Sequence, residues 1–400
     1  MVDGVEAGPV VDGPVAADPV VGGCVAGVAE LAGASERQPA AASPTVPRAP
    51  SSSDRRETST IDGGYEGVVR AGARVAGLHP CAGWQAAGMA RWSASDIPDQ
   101  RGRTALVTGA TSGLGLRSAE ALAARGARVL LAGRNAAKLA TSVDAVAALA
   151  TGPAPEAVAL DLADLSSVRA AAADVAARVD HLDVLLNNAG VMALPLGRTV
   201  DGFELQLGTN HLGHVALTAL LLPCLLAAPS PRVVTTSSVA HRMGRIRWDD
   251  LQWERGRYSR WLAYGQSKLA NLLFAFELDR RAGRAGTMLV SVAAHPGYAA
   301  THLQQAGPEM QGSRLKASAM GLLNRVVAQS DTEGALPQLY AATMLDVSGG
   351  EYWGPDGPGE VRGAPRRVGA TKQATDEADA ARLWDVNEEL TGVRFAWPET

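Results

Sequence analysis

The stretch Ala105-Leu-Val-Thr-Gly-Ala-Thr-Ser-Gly-Leu-Gly115 decides the fold of this chain. It passes from an apolar run into a turn with three glycines, Gly109, Gly113 and Gly115, and then into a helical pattern. Glycine permits tight turns and lets the backbone come close to a phosphate group. A glycine-rich turn between a strand and a helix therefore predicts a site for a dinucleotide pyrophosphate at the helix N-terminus. The alternative is a glycine-rich turn that holds no ligand.

Around this stretch, short β-branched or leucine-rich runs alternate with longer alanine- and leucine-rich helical patterns. The predicted strands are Thr104–Thr108, Arg128–Ala132, Ala157–Leu160, Val184–Asn187, Arg232–Ser237, Met288–Ala293 and Gly350–Trp353. The predicted helices cover residues 114–125, 135–149, 165–179, 202–227, 262–282, 332–345 and 375–391. Such alternation with apolar strands predicts a parallel sheet covered on both faces. The expected fold class is α/β, a doubly wound parallel sheet of the Rossmann type in a single domain.

The N-terminal part of the chain has a different character. Residues 1–88 are rich in Gly, Ala, Pro, Val and Ser and show no sustained helical or strand period. Such a stretch buries too little apolar surface to offset the entropy of ordering it, so we expect a disordered low-complexity tail. It lacks the basic start and unbroken apolar core of a signal peptide. Residues 89–400 form the predicted domain. The change at Met89 favours a start codon there, and a translated tail is the alternative.

Composition narrows the function classes. The net charge of −4 gives no reason to expect a nucleic-acid surface. The longest apolar run, residues 216–228, is too short to span a bilayer. The three cysteines, Cys24, Cys81 and Cys224, have no paired spacing, which favours a reducing compartment and a cytoplasmic location. No metal-ligand spacing is present in the sequence.

Residues at the carboxyl ends of the predicted strands are candidates for cofactor binding, because doubly wound sheets bind ligands there. Arg134 stands where an NAD-preferring site places an acidic side chain, and an arginine can pair with a 2′-phosphate, so NADP is preferred over NAD. A solvated arginine is the alternative. Asp161 and Leu162 are expected near the adenine. The predicted set is Gly109, Thr111, Ser112, Gly113, Leu114, Gly115, Arg134, Asn135, Asp161, Leu162, Asn188, Ala189, Gly190, Tyr264 and Lys268.

The pair in Tyr264-Gly-Gln-Ser-Lys268 predicts proton transfer. Residues four apart on a helix share one face, so both side chains can address one cleft. A tyrosine has a reference pKa of about 10. A fixed ammonium nearby favours the phenolate, and we expect Lys268, helped by the charge of an oxidised nicotinamide, to lower the pKa of Tyr264.

Three further residue types complete the predicted site. Ser238, preferred over Ser237, is expected to bind a substrate oxygen as charge develops on it. A helix cap is the alternative for this serine pair. Asn210 is expected to hold a water that relays protons from Lys268 to solvent. The histidines have no evident carboxylate partner in the sequence, and we expect structural roles for His211, His214 and His295.

Residues 101–300 resemble the short-chain dehydrogenase/reductase family. The matching stretches are Thr108–Gly115, Asn187–Gly190, Ser238, Tyr264–Lys268 and Pro296-Gly297 with Thr301. Longer stretches resemble its retinol-dehydrogenase-like branch: Asn210-His-Leu-Gly-His214, Ser237-Ser-Val-Ala-His241, Tyr264-Gly-Gln-Ser-Lys-Leu-Ala-Asn271, His295-Pro-Gly297 and Glu351-Tyr-Trp-Gly-Pro-Asp-Gly357. The resemblance implies a serine–tyrosine–lysine mechanism with an asparagine water relay. It also implies nicotinamide contacts from Pro296, Gly297 and Thr301.

Two departures limit the resemblance. The gap between Ser238 and Tyr264 is long, with an insert over 242–262 that is rich in Arg and Trp. The N-terminal membrane anchor of many retinol enzymes is not expected here, so the chain resembles a bacterial type without an anchor, and retinol is not carried over as substrate. The expected substrate is a small lipophilic alcohol or carbonyl compound. A homodimer is an option that the sequence leaves open.

The leading hypothesis is an NADP-dependent oxidoreductase that interconverts an alcohol with its aldehyde or ketone. One alternative is a non-catalytic NADP-binding redox sensor, although related sensors tend to lose the tyrosine or the lysine. The other is reduction of a carbon–carbon double bond on the same fold. We expect an apolar substrate pocket lined from 192–196, 239–261 and 302–327, by Met192, Met243, Trp248, Trp253, Met310, Leu315, Met320 and Leu322.

Overall fold

A computed structural model of the chain describes residues 91–298 and 329–398. Within them lie the strands β1 (Thr104–Thr108), β2 (Arg128–Gly133), β3 (Glu156–Ala159), β4 (Val184–Asn187), β5 (Arg232–Thr236), β6 (Val290–Ala294), β7 (Tyr352–Pro355) and β8 (Pro365–Arg367). They form one sheet in the order β3-β2-β1-β4-β5-β6-β7-β8. The first seven strands are parallel, and β8 is antiparallel to β7. The predicted doubly wound parallel sheet is confirmed. The predicted tail over 1–88 lies outside the described residues.

The helices alternate with the strands and cover both faces of the sheet. They are α1 (Gly113–Ala124), α2 (Ala136–Ala147), α3 (Leu165–Arg178), α4 (Leu205–Leu207), α5 (Gly213–Leu220), α6 (Leu222–Leu226), α7 (Arg260–Arg284), α8 (Asp331–Thr343) and α9 (Glu377–Thr391). One layer contains α1, α2 and α8, and the other contains α3, α5 and α7 with α9 packed outside α7.

Strand β1 shows why the strand sequences are continuously apolar. All five of its residues are buried. Leu106 packs in the core on the side of α3 and α5, whereas Val107 packs on the side of α1, α2 and α8. Successive side chains of a strand point to opposite faces, so a strand covered on both faces needs apolar residues at every position.

Some element boundaries differ from those predicted. The helix predicted over 202–227 is divided, because Gly208–Leu212 forms a π-helical turn between α4 and α5. Met288 is 71% exposed and lies outside β6, although it was predicted to be in that strand. Strand β8 was missed, because Pro365-Arg-Arg367 carries no apolar run and lies at the edge of the sheet.

The C-terminal helix α9 covers the outer face of α7. Phe274 of α7 stacks on Trp384 with ring centroids 5.8 Å apart, and Phe395 lies 4.2 Å from Trp384. Helix α9 is followed by Gly392 in the left-handed conformation (φ +62°), in agreement with the predicted stop. This packing keeps α7 in the interior of the protein. No helix in the described part of the chain is long and apolar enough to cross a membrane.

Candidate active site

The glycine-rich turn packs directly on the loop after β4. Gly109 has a φ of +68°, and a Cβ atom there would lie 2.9 Å from the Cα atom of Ala189. A Cβ atom on Gly115 would lie 2.6 Å from Asn188 Nδ2. Only glycine permits these approaches. Ser112 precedes α1 and makes no side-chain cap, which leaves the first N–H groups of α1 available to an anion.

Thr108, which the sequence analysis did not single out, holds the loop after β4 in place. Its hydroxyl accepts hydrogen bonds from the backbone N–H groups of Asn188 (2.9 Å) and Ala189 (3.0 Å). His214 Nδ1 lies 3.0 Å from the Asn210 carbonyl oxygen, which can only accept, so Nε2 accepts from Thr108 at 2.9 Å. Burial lowers the pKa of His214 to about 3, so this histidine is neutral and links two loops of the site.

Arg134 lies at the carboxyl end of β2 and is exposed. It makes no hydrogen bond or ion pair with another residue of the described part of the chain. Asn135 caps α2, because its side-chain oxygen accepts from the Lys138 N–H at 2.9 Å. Beside them, a Cβ atom on Gly133 would lie 2.8 Å from Thr111 Cγ2. Arg134 is thus open to a ligand, while the amide oxygen of Asn135 is already in use.

Asp161 and Leu162 follow β3, and their side chains have different surroundings. Asp161 is partly exposed, and one of its oxygens accepts from the Ala163 N–H at 3.0 Å. Its own N–H donates to Ser167 Oγ at 2.9 Å. Leu162 is buried and packs against Gly213. Of the two side chains, only the carboxylate of Asp161 is therefore placed to meet a polar group of a ligand.

Tyr264 and Lys268 lie one turn apart on α7, and they are only 7% and 4% exposed. The ammonium nitrogen of Lys268 lies 5.8 Å from the centroid of the Tyr264 ring. It donates a hydrogen bond to the Thr236 carbonyl at 3.0 Å. A Cβ atom on Gly190 would lie 3.6 Å from the same nitrogen. The ammonium therefore lies between the end of β5 and the loop after β4.

The pKa values of this pair shift in a direction that the sequence did not predict. Burial raises the pKa of Tyr264 to about 12, although the neighbouring Ser238 side chain opposes the rise. Burial also lowers the pKa of Lys268 to about 8. With the protein groups alone the pKa of Tyr264 is raised, and the lowering expected from Lys268 together with an oxidised nicotinamide stays a prediction. The physical reason for the rise is the cost of desolvating a phenolate.

The two serines after β5 have separate roles. The Ser238 side chain lies beside Tyr264 and accepts from the Ala240 N–H at 3.2 Å, as the cap of a short 3-10 helix. Ser237 is buried and donates to the Lys268 carbonyl at 2.8 Å, which ties β5 to α7. Ser238 is thus the serine beside the tyrosine hydroxyl, and it caps a helix as well.

Asn210 lies in the π-helical turn, a feature that often marks functional sites. Its side-chain nitrogen donates to the Val191 carbonyl and to Ser267 Oγ, both at 2.9 Å, and its side-chain oxygen accepts from the Val191 N–H at 2.7 Å. Both side-chain donors and one acceptor position of Asn210 therefore serve to hold the loop. Its backbone carbonyl accepts from His214 Nδ1 at 3.0 Å. The water relay predicted for Asn210 stays a prediction.

The loop after β6 contains Pro296 and Gly297. Gly297 has a φ of +67°, and a Cβ atom there would collide with the carbonyl oxygen of Val361. The next N–H, that of Tyr298, donates to the same oxygen at 2.8 Å. The loop is therefore held by the segment between β7 and β8, which sequence reasoning missed. Thr301 lies outside the described residues.

One of the three histidines has a carboxylate partner. His295 Nε2 lies 3.1 Å from an oxygen of Glu360, so the expectation of no partner is wrong at this position. His211 is fully buried between Asn271 (3.1 Å) and Asn387 (3.0 Å), and burial lowers its pKa to about 4. Within 91–298 and 329–398, no group of three or more His, Cys, Asp or Glu side chains could hold a metal ion.

The predicted apolar lining is met only in part. Trp253 is 5% exposed and lies beneath the Arg247 guanidinium, 4.2 Å from its ring centroid. Trp248 is covered in the same way by Arg382 at 4.1 Å. Both rings therefore pack within the fold, whereas Met243 is 51% exposed. Met192 is partly buried. Four other predicted positions lie outside the described residues: Met310, Leu315, Met320 and Leu322.

Comparison with protein families decides the classification. A family model described as short chain dehydrogenase matches residues 103–312, more than half of the 400 residues. The chain belongs to the short-chain dehydrogenase family. Retinol dehydrogenase 13 of Homo sapiens is 38% identical over 295 residues, which is 73% of this chain and 85% of that protein. Retinol dehydrogenase 11 of Mus musculus is 38% identical over 299 residues, 74% and 88% of the two chains.

Solved structures agree with this assignment. An uncharacterised protein of Mycobacterium paratuberculosis is 45% identical, with a TM-score of 0.63. The match covers 77% of the chain described in this article and 100% of the Mycobacterium chain. A short-chain dehydrogenase of Pseudomonas syringae is 27% identical, with a TM-score of 0.52, and covers 66% and 98%. The predicted retinol-dehydrogenase-like branch is confirmed. This family member is an NAD(P)-dependent oxidoreductase of alcohol and carbonyl groups.

Proposed function

We propose that this oxidoreductase uses NADP to interconvert a lipophilic alcohol with its aldehyde or ketone, with Tyr264 as general acid and base. The observation that carries the proposal is that the Ser238 side chain lies beside Tyr264, with Lys268 on the same buried face of α7. Two adjacent hydroxyls can both bind one carbonyl oxygen, and such donors stabilise the charge that develops there.

The residues present fit a dinucleotide. The glycine turn leaves the N-terminus of α1 without a side-chain cap, which suits a pyrophosphate. The exposed guanidinium of Arg134 suits a 2′-phosphate, and this supports NADP over NAD. When bound, the nicotinamide supplies or accepts the hydride. The loops after β4 and β6 would flank it with Gly190 and Gly297.

The protein side chains manage the proton. The raised pKa of Tyr264, about 12, keeps its hydroxyl protonated at neutral pH, so it can donate to the substrate oxygen during carbonyl reduction. Ser238 would hold the same oxygen. The Lys268 ammonium, 5.8 Å from the ring, would stabilise the resulting phenolate and return a proton through a water held at the Asn210 carbonyl. Alcohol oxidation runs these steps in reverse.

Exposed apolar side chains support a lipophilic substrate. Leu196, Met243, Trp261 and Leu262 are 49%, 51%, 44% and 46% exposed. The Trp261 ring meets Tyr264 edge to face with centroids 6.3 Å apart, so apolar surface reaches the proposed acid itself. The relatives named as retinol dehydrogenases point to the same substrate class. A cytoplasmic location and a homodimer stay predictions.

A substrate screen tests the proposal. NADPH oxidation should be measured with aldehydes and ketones of increasing apolar size, and in reverse with the matching alcohols. We expect turnover that improves with apolar size and disappears in Tyr264→Phe. A redox sensor would bind NADPH without turning over any compound. A carbon–carbon double-bond reductase would leave the carbonyl of an unsaturated ketone intact, which product analysis would reveal.

A further inference from the structure

The turn between β7 and β8 packs against the loop that follows β6 and accepts a hydrogen bond from it. Besides the contacts of Val361 with Gly297 and Tyr298, this turn brings Glu360 to the loop. Glu360 has a φ of +57°, a left-handed conformation that is costly for a residue with a Cβ atom. The surrounding structure therefore holds this side chain in a position that the backbone alone would not favour.

The Glu360 carboxylate joins two loops that flank Tyr264. One oxygen accepts from the Arg242 guanidinium at 2.8 Å, and Arg242 belongs to the short helix that Ser238 caps. The other oxygen lies 3.1 Å from His295 Nε2, at the start of the loop after β6. One carboxylate thus connects the serine side of the site with the Pro296–Gly297 side.

The hydrogen-bond pattern assigns the proton on His295. Gly297 N–H donates to His295 Nδ1 at 3.1 Å, so Nδ1 is the acceptor and Nε2 carries the hydrogen that faces Glu360. The imidazole is wholly buried, and neither His295 Nε2 nor the facing oxygen has an aligned hydrogen-bond partner. The contact is therefore close but poorly directed. Gly354 packs against Nε2, where a Cβ atom would collide with the ring.

A second histidine extends the network to the serine. His241 Nδ1 donates to the Ser238 carbonyl at 2.7 Å, so the imidazole fixes the backbone of that residue. The Tyr352 ring lies between the two histidines, with centroids 5.6 Å from His241 and 5.1 Å from His295. Movement of Glu360 would therefore change the contacts of Arg242, which follows Ser238, and of His295, which begins the loop after β6.

We propose that Glu360 is a positioning residue that pre-orders the loop after β6 for the nicotinamide, acting through His295 and Arg242. The proposal rests on the proposed function, since it takes that loop as a nicotinamide contact. Without the carboxylate, cofactor binding itself must order the loop. The consequence is weaker NADPH binding, because binding energy is then used to order the chain.

The substitution Glu360→Gln separates charge from shape. Glutamine offers one acceptor oxygen, whereas Arg242 and His295 both present donors. A donor is then left facing the amide NH2 group. If His295 moves its proton to Nδ1 to avoid this, it can no longer accept from the Gly297 N–H, and the loop is released.

The matched control is Glu351→Gln. Glu351 lies at the start of the same hairpin, pairs with Arg367 at 3.1 Å, and has a side chain 12% exposed, against 13% for Glu360. It makes no hydrogen bond or ion pair with residues 295–298, the described part of the loop after β6. Both substitutions remove an ion pair between a largely buried carboxylate and a more exposed arginine, so similar losses of melting temperature are expected from the two variants.

The test is a titration of the full chain with NADPH, followed by tryptophan fluorescence, with melting temperatures and steady-state kinetics alongside. We expect Glu360→Gln to raise the Kd for NADPH about tenfold, as for loss of a hydrogen bond to a charged group, and Glu351→Gln to leave it within about twofold. At saturating NADPH, kcat of Glu360→Gln should stay within about threefold of the wild type, because bound NADPH has already ordered the loop before the chemical step. An unchanged Kd, or equal changes in both variants, would overturn the proposal.

His295→Asn carries the test if Glu360→Gln does not fold. Asparagine keeps an acceptor near the Nδ1 position but has no group at Nε2, so it cuts the link to Glu360. The Kd should again rise about tenfold, and the double variant should lose no more than either single one. Additive losses, or an unchanged Kd in His295→Asn, would refute the network. Because the titration needs no turnover, failure of the catalytic assignment to Tyr264 would be seen separately.

Discussion

Replacing Lys268 by methionine should make the protein more stable while abolishing its activity. The lysine is 4% exposed, and burial lowers its pKa from 10.5 to about 8. A lowered pKa means that the folded protein disfavours the ammonium that the unfolded chain carries freely. Methionine keeps the linear apolar stem without the charge, so the folded state no longer bears this cost.

The magnitude follows from the two pKa values. Their difference of about 2.5 units, at 1.36 kcal/mol per unit, is a penalty of about 3 kcal/mol at pH 7, where both states are protonated. Between pH 8 and 10.5 the unfolded state binds more protons, so the stability of the wild type rises with pH. The penalty falls to about 1 kcal/mol at pH 10. Losing the charged hydrogen bond of Lys268 to Thr236 costs about 2 kcal/mol, which leaves a net gain of about 1 kcal/mol at pH 7.

Urea unfolding at pH 7 and pH 10 measures this effect. Lys268→Met should be more stable than the wild type at pH 7, and its advantage should be lost at pH 10. The control is Lys138→Met, on the exposed side of α2, which should show no such pH-dependent gap. A variant less stable than the wild type at pH 7, or an advantage independent of pH, would refute the view that Lys268 is held at a cost to stability for the sake of the site.

Other predictions address chemistry, cofactor choice and the chain start. Tyr264→Phe should bind NADPH with unchanged affinity but slow the hydride step at least about 10²-fold; near-normal turnover on a verified substrate would show that another residue is the acid. Arg134→Asp should weaken NADPH binding about tenfold more than NADH binding, and equal losses for both cofactors would disprove the 2′-phosphate contact. The chain shortened to 89–400 should melt at the same temperature and turn over as fast as the full chain; a clear loss of either would assign a role to residues 1–88.

Local patterns accounted for the residues whose task depends on their immediate neighbours. Gly109 and Gly115 were predictable because a tight turn beside a helix N-terminus restricts the residue type within a few positions. Tyr264 and Lys268 were predictable because helical spacing places them on one face. The role of Thr108 was not predictable, because its partners Asn188 and Ala189 lie some eighty residues away in sequence. Nothing in the neighbouring sequence indicates that this threonine makes several hydrogen bonds.

The sequence by itself determined the seven parallel strands of the sheet, because alternating apolar strands and amphipathic helices leave few ways to bury both sets of side chains. It also determined which residues end the strands, and hence the composition of the candidate site. Only the tertiary structure decided their energetics. Burial raises the pKa of Tyr264 when the protein groups act alone, and folding brought His295 to a carboxylate 65 positions away. Desolvation and non-local pairing depend on the whole packed chain, and no local pattern records them.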